Sequence, residues 1–311
     1  MKDLRIVFFG TPDFAAASLN LLVSEQKNVV AVVTAPDRPK GRGKKISISA
    51  VKEEAVKAGI PVLQPANLKS EVFISELASY NAEIQVVVAF RMLPLSVWDM
   101  PPLGTFNLHA SLLPRYRGAA PINWAIVNGE TETGVTTFFL KHEIDTGEII
   151  MQEKEAIGPD DTAGSLYDRL MFKGADLVLK TVLQISRGNV NSTPQEELSG
   201  SSPAPKIYKQ DCKIDWQQSA VSVKNFIRGM SPYPTAWSQI DDKNLKIFKV
   251  ELTEEEAKNA GLFEVKNGSA LYASCADFKV RVLELQIEGK RRMSTEDFLR
   301  GIKLPDTFMS L

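Results

Sequence analysis

The sequence predicts an α/β protein: a mostly parallel sheet with helices on both faces, followed by a small C-terminal β-barrel domain. Three observations predict it. Apolar runs that do not alternate with polar residues recur through the first half, separated by segments of helical periodicity, the pattern of strands buried on both faces. Composition then changes over 189–206, "NVNSTPQEELSGSSPAPK", which is rich in Ser, Pro and Gly and reads as a linker. Beyond about residue 207 the runs are strand-like and divided by turns. At 311 residues two domains are expected, 1–188 and 207–311.

Each element has its own signal. "LRIVFFG" (4–10) is β-branched and aromatic and ends on Gly, a buried strand. "TPDFAAASLNLLVSE" (11–25) follows as a helix with Thr11 or Pro12 near its start. "VVAVVT" (29–34) is a second strand, and "SAVKEEAVKAG" (49–59) a capped helix closed by Gly59. "IPVLQP" is a short strand, "EVFISELASY" a helix and "IQVVVAF" (84–90) another buried strand. "TFNLHAS" (105–111) is the next strand, "GAAPINWAIVNG" (118–129) a helix and "GVTTFFLK" (134–141) a strand. Residues 162–188 form one long helix with Gly188 as its stop. This half is Rossmann-like in arrangement. In the second half, "NLKIFKVEL" (244–252), "GSALYASC" (268–275) and "FKVRVLELQIEG" (278–289) are the strand-like runs.

The bulk numbers exclude several classes. A formal net charge of −1 means that affinity for a polyanion must come from local patches. Cys212 and Cys275 are the only cysteines, so there is neither a disulfide framework nor a CxxC metal site, and a reducing compartment is expected. "MKDLRIVFFG" is too short for a signal h-region, and no run approaches the roughly 20 apolar residues of a membrane helix. The expected location is the cytoplasm. No interface helix is evident, and a monomer is expected.

The most unusual stretch is "FNLHASLLPRYRG" (106–118), which contains one of only two histidines. On a strand, residues two apart share a face, so Asn107 and His109 project together. They stand at the end of their strand, where open parallel sheets bind ligands. An imidazole beside a carboxamide suits hydrogen bonding to one carbonyl oxygen that gains charge, as in acyl transfer. Asp145 in "HEIDTGEII" (142–150) precedes a Thr-Gly turn, and a carboxylate near His109 would favour the charged ring. Each residue also has a plainer reading: His109 as a satisfied core histidine, Asn107 as a turn tie, Asp145 and Gly147 as a turn signal. Asp-Thr-Gly does not make an aspartic protease, which needs two such carboxylates. No G-x-S-x-G surrounds Ser111, which fits a turn or cap better than a nucleophile. "FFGTPDF" is not G-x-G-x-x-G, so a dinucleotide is not supported. His142 has no ligand-like spacing and reads as surface.

"NLHASLLPRYRGAAPINWAI" with "DTG" downstream resembles the N10-formyltetrahydrofolate-dependent formyltransferases. The resemblance implies a catalytic set of Asn107, His109 and Asp145, no metal, and N10-formyltetrahydrofolate as the formyl donor. It places Ser111, Leu112, Leu113 and Pro114 on the turn lining the folate site. It makes "VVVAFRMLP" (86–94), with Phe90 and Leu93, the segment whose backbone holds the pterin. Phe90-Arg91 departs from the Tyr-Gly of many members; a glycine there would serve a backbone angle that Arg91 does not readily adopt.

The family also includes enzymes acting on glycinamide ribonucleotide and amino sugars, and hydrolases that release formate. "APDRPKGRGKKIS" (35–47) sets Arg38, Lys40, Arg42, Lys44 and Lys45 within eight residues and reads as a mobile basic loop suited to phosphate contacts. It resembles the members that formylate methionyl-tRNA. So do "KIDW" (213–216), "IRGMSPYPTAW" (227–237) and "GKRRMSTEDFLRG" (289–301), which imply an OB-like, nucleic-acid-binding C-terminal barrel. Lys290, Arg291 and Arg292 fit either its charged face or a plain surface turn. Thr235 stands where the family usually has glycine. The reaction implied is formyl transfer to the α-amine of initiator methionyl-tRNA; the alternative is an amino-sugar formyltransferase or a formyltetrahydrofolate hydrolase on the same core.

Overall fold

The computed structural model describes residues 2–40, 45–188, 190–195, 202–240, 243–302 and 304–309. The chain falls into two compact units. The first comprises residues 1–118, 134–155 and 167–203; the second comprises 119–133, 156–166 and 204–311. Residues 119–133 and 156–166, grouped with 1–188 on sequence, thus belong with the C-terminal part.

The main sheet is built from β1 (Ile6–Gly10), β2 (Val29–Val33), β5 (Val62–Leu63), β6 (Ile84–Val88), β7 (Thr105–His109), β8 (Glu132–Phe139) and β9 (Ile149–Ala156). A separate two-stranded ribbon consists of β3 (Arg38–Lys40) and β4 (Lys45–Ser47). The main strand order is β5-β2-β1-β6-β7-β8-β9. Pairing is parallel from β5 to β7 and turns antiparallel at β8. The mostly parallel sheet is therefore as expected. β9 carries little sequence signal, because only Ile150 in it is fully buried and Gln152, Lys154 and Ala156 are exposed.

Both faces of β1 are covered, which explains its lack of alternation. Val7 and Phe9 pack with Ala31, Val33, Val87, Leu93 and Val97 in one cluster. Ile6 and Phe8 point the opposite way and are equally buried. The helices are α1 (Asp13–Ser24), α2 (Ala50–Lys57), α3 (Glu71–Ser79), the short α4 (Leu95–Trp98), α5 (Pro121–Val127) and α6 (Ala163–Ser186). Ser49 caps α2: its Oγ accepts from Lys52 N at 3.0 Å, a contact worth about 1 kcal/mol. Gly174 lets α6 approach β7 closely, since a Cβ there would lie 2.7 Å from Leu108 Cδ2.

In the second unit α7 (Ala220–Met230) and α8 (Thr295–Gly301) accompany an antiparallel sheet. Its strands are β10 (Ala236–Ile240), β11 (Lys243–Glu256), β12 (Leu262–Lys266), β13 (Ala270–Ser274), β14 (Phe278–Ile287), β15 (Met293–Ser294) and β16 (Thr307–Met309). The order is β10-β11-β14-β13-β12-β16, with β15 on β14. Register shifts between β11 and β14 bend the longest strands, so the sheet curls as a half-barrel. Val223, Ile227 and Met230 of α7 and Phe298 of α8 fill its core with Leu245, Ile247 and Leu285. α5 joins this unit because Gly229 admits it: a Cβ there would sit 2.6 Å from Val127 Cγ2.

Candidate active site

The carboxyl ends of β1 and β6 flank the point where chain order reverses, and the ligand crevice of such sheets lies there. β7 is next to β6, with Val87 paired to Asn107. Asn107 is half-buried and His109 is buried at 7% exposure. Among the described residues, the Asn107 carboxamide has no hydrogen-bond partner.

His109 is held through one ring nitrogen and faces a carboxylate with the other. Its Nε2 lies 2.8 Å from Tyr116 O, and because a carbonyl only accepts, Nε2 carries a proton. Its Nδ1 faces Asp145 Oδ2 at 3.9 Å, too far for a direct hydrogen bond. Asp145 Oδ2 instead accepts from Gly118 N at 3.2 Å. The structure thus brings His109 and Asp145 face to face, with Asn107 on the same strand as His109. No sequence pattern pointed to Tyr116 as the group engaging Nε2.

Three non-glycine residues with left-handed backbone surround this point: Ala89 (φ 46°), Tyr116 (φ 59°) and Asp145 (φ 56°). Such residues cost energy and collect at functional sites. The unusual angle after β6 falls on Ala89, and Arg91 is not among the left-handed residues, so the side chain at 91 meets no backbone conflict. Arg91 instead donates to the carbonyls of Pro65 and Ala66 and lies over the Phe90 ring, 5.5 Å from its centroid. Burial, and then the charge of Arg38, lowers the Arg91 pKa from its ordinary value.

The 111–114 turn is stapled to the sheet. Ser111 Oγ donates to Arg115 O at 2.6 Å, which leaves it a turn residue. Thr136 Oγ1 donates to Ser111 O at 2.6 Å and accepts from Leu113 N at 3.1 Å. Gln152 Nε2 donates to Leu113 O at 2.9 Å. Among the expected folate contacts, Ser111, Leu113 and Leu93 are buried. Leu112, Pro114 and Phe90 are less buried, and Phe90 packs edge-on against Phe9 at 5.7 Å.

The basic segment differs from the expected loop in its described part. β3 and β4 pair antiparallel, Arg38 opposite Ser47 and Lys40 opposite Lys45. Arg42 and Lys44 lie outside the described residues. The ribbon is tied at its base: Lys52 Nζ donates to Asp37 Oδ2 at 2.5 Å and to Gln64 Oε1 at 2.7 Å. Gln64 Nε2 donates to Asp37 Oδ1 at 2.7 Å and to Ala35 O at 2.8 Å. In the second unit Lys290 and Arg291 are exposed, whereas Arg292 pairs with Glu284 and lies 4.2 Å from the Phe248 centroid. His142 is exposed beside Trp98, as expected of a surface residue.

Sequence reasoning missed Arg117 and Gln195. Arg117 Nε and Nη2 donate to Gln195 Oε1 at 3.1 and 2.6 Å. Gln195 sits in the stretch read as linker, where nothing in composition marks it. The described part of that stretch is bound to the first unit: Thr193 and Ile149 exchange main-chain hydrogen bonds at 2.8 and 2.9 Å, and Tyr116 N donates to Ser202 O at 2.8 Å.

Among the described residues, no group of three or more His, Cys, Asp or Glu is placed to hold a metal ion, and no helix is long and apolar enough to cross a membrane. The Asn107 carboxamide and the His109 imidazole thus lie at the carboxyl end of β7, with the Asp145 carboxylate facing the ring from the turn between β8 and β9. The chain belongs to the formyl transferase family: the formyl transferase model matches residues 4–182, and the model of the formyl transferase C-terminal domain matches 206–303. Among its curated relatives, the methionyl-tRNA formyltransferase of Bacteroides fragilis is 51% identical over 99% of this chain and 98% of its own. That of Flavobacterium johnsoniae is 49% identical over 98% of each. Among solved structures, the sugar 3N-formyltransferase WlaRD aligns with a TM-score of 0.66 at 22% identity, over 94% of this chain and 100% of that one. HypX from Aquifex aeolicus, solved with tetrahydrofolic acid, aligns with a TM-score of 0.64 at 20% identity, over 96% of this chain and 47% of that one. These two likenesses speak to the fold.

Proposed function

We propose that this enzyme transfers the formyl group of N10-formyltetrahydrofolate to the α-amine of initiator methionyl-tRNA. Full-length similarity at about half identity to methionyl-tRNA formyltransferases supports the acceptor. The observation that carries the chemistry is the Asn107 carboxamide, without a hydrogen-bond partner among the described residues, on the same face of β7 as His109. Phe90, just beyond the carboxyl end of β6 and only partly buried, supports an aromatic, planar donor there.

The neutral amine attacks the formyl carbon, and charge gathers on the formyl oxygen. Asn107 Nδ2 donates to that oxygen, and the His109 ring stands beside it on the same strand face. Asp145 accepts the proton that the amine sheds as the new C–N bond forms, and the proton returns to N10 as the old C–N bond breaks. The balance closes with no covalent intermediate on the enzyme. Ser111 to Pro114, Phe90 and Leu93 line the folate side. Arg38, Lys40, Arg42, Lys44 and Lys45 meet phosphates near the acceptor end. The curled C-terminal sheet, with Lys290 and Arg291, serves the body of the tRNA. The enzyme works as a cytoplasmic monomer.

The test is single-turnover transfer with His109→Asn, Asn107→Ala and Asp145→Ala. Rate reductions of about 10²–10³ support the assignment. Turnover within a few-fold of wild type in these variants overturns it.

A further inference from the structure

Gln195 uses every hydrogen-bonding position of its carboxamide. Its Nε2 donates to Asp145 O at 2.9 Å and to Gly147 O at 2.7 Å. Its Oε1 accepts twice from Arg117, at 3.1 and 2.6 Å. The orientation is dictated, because arginine only donates and main-chain carbonyls only accept. The two flanks of Arg117 also serve the site: Tyr116 O accepts from His109, and Gly118 N donates to Asp145. One side chain therefore ties the 111–118 turn to the Asp145–Gly147 turn.

That tie acts on a strained point. Asp145 has φ 56°, a left-handed region that L-residues enter only against steric resistance. Gly147 is pressed so closely that a Cβ would lie 1.5 Å from Phe139 O. A turn of this kind needs its carbonyls held, and Gln195 holds two of them. Gln195 is itself anchored by its neighbours: Thr193 bridges Ile149, and Ser192 Oγ donates to Glu148 Oε2 at 2.5 Å.

We infer that Gln195 is a positioning residue of the transfer reaction, fixing the Asp145 turn so that the carboxylate faces His109. This rests on the role proposed above for Asp145. Gln195 touches no reacting atom, so its effect runs through Asp145 alone.

The experiment is a double-mutant cycle on the full-length enzyme, in single turnover with methionyl-tRNA and formyl donor, using Gln195→Leu, Gln195→Glu and Asp145→Asn. Gln195→Leu is of similar size and removes all four bonds. Gln195→Glu keeps the Arg117 bonds but sets negative charge against two carbonyl oxygens, so it reports even if the leucine variant unfolds. The expected result is a turnover reduction of about tenfold or more in either Gln195 variant, KM for both substrates within about threefold, and less than about threefold further reduction in the Asp145→Asn background. Amide hydrogen exchange at residues 145–147 should quicken in the same variants. Turnover within about threefold of wild type, or an equal reduction with Asp145 already replaced, overturns the inference. If Asp145→Asn alone retains wild-type turnover, the role proposed for Asp145 fails first and the inference falls with it.

Discussion

His109 Nδ1 stands 3.9 Å from Asp145 Oδ2 while its Nε2 is bonded to Tyr116 O at 2.8 Å. Both ring nitrogens thus face oxygen atoms, one of them within hydrogen-bond distance. The role proposed for Asp145 needs a carboxylate free of a short bond to the ring, and the 3.9 Å separation meets that need. Asp145→Asn keeps the shape and an oxygen for the Gly118 amide but removes the proposed base. It should lower kcat by about 10²–10⁴ with the melting temperature unchanged within a few degrees, measured by rapid-quench transfer and calorimetry.

The basic ribbon makes an ionic-strength prediction. Each phosphate neutralised by a cation adds close to one unit of slope in log K against log salt. Replacing Arg38, Lys40 and Lys45 with Gln should weaken methionyl-tRNA binding and make that slope shallower by about one unit for every phosphate no longer neutralised, while folate binding stays unchanged. Filter binding between low and moderate salt checks it.

The root of the ribbon carries a pH dependence. A hydrogen bond from Lys52, then one from Gln64, holds the Asp37 carboxyl below the usual carboxylate range. The sign follows from linkage: a depressed folded-state pKa gives stabilisation present above the unfolded value and lost as pH falls through the folded value. The wild-type melting temperature should therefore fall more steeply on acidification below the ordinary carboxylate range than that of Asp37→Asn. Above that range the gap between the two proteins should be constant. Melting curves across the acid limb measure both.

Thr235 has φ 80°, which explains why glycine is the residue expected at this position from the family resemblance. Its conformation is held by Thr235 N donating to Met230 O at 2.8 Å and its Oγ1 donating to Pro232 O at 2.6 Å. Thr235→Val retains the strain and removes the side-chain bond in a buried site, and should cost about 1–3 kcal/mol. Thr235→Gly relieves the strain but removes the same bond and adds chain entropy. These offset, and urea unfolding should place it within about 1 kcal/mol of wild type.

Much of the first unit was legible because burial on both faces of a parallel sheet leaves continuous apolar runs. β1, β2, β6 and β7 fall within "LRIVFFG", "VVAVVT", "IQVVVAF" and "TFNLHAS", each one or two residues shorter than the run. The second unit was less legible. The register shifts of β11 hide its length, and α7 is amphipathic within a stretch that Gly229 and the prolines make look like a turn. Asn107, His109 and Asp145 could be picked out from strand parity and a turn signal. Gln195 could not, since its place depends on a segment that looks unstructured by composition and docks through main-chain bonds to β9. Tyr116 engages His109 through its carbonyl, which no side-chain pattern reveals.

Acceptor choice tests the proposed function most directly. Formyl-labelled N10-formyltetrahydrofolate would be offered to the enzyme with methionyl-tRNA, uncharged tRNA, an amino-sugar nucleotide or water alone. Label on methionyl-tRNA only, abolished in Asp145→Ala, is the expected result. Label on the sugar, or free formate formed at the same rate without tRNA, would contradict the assignment of the acceptor while leaving the family intact.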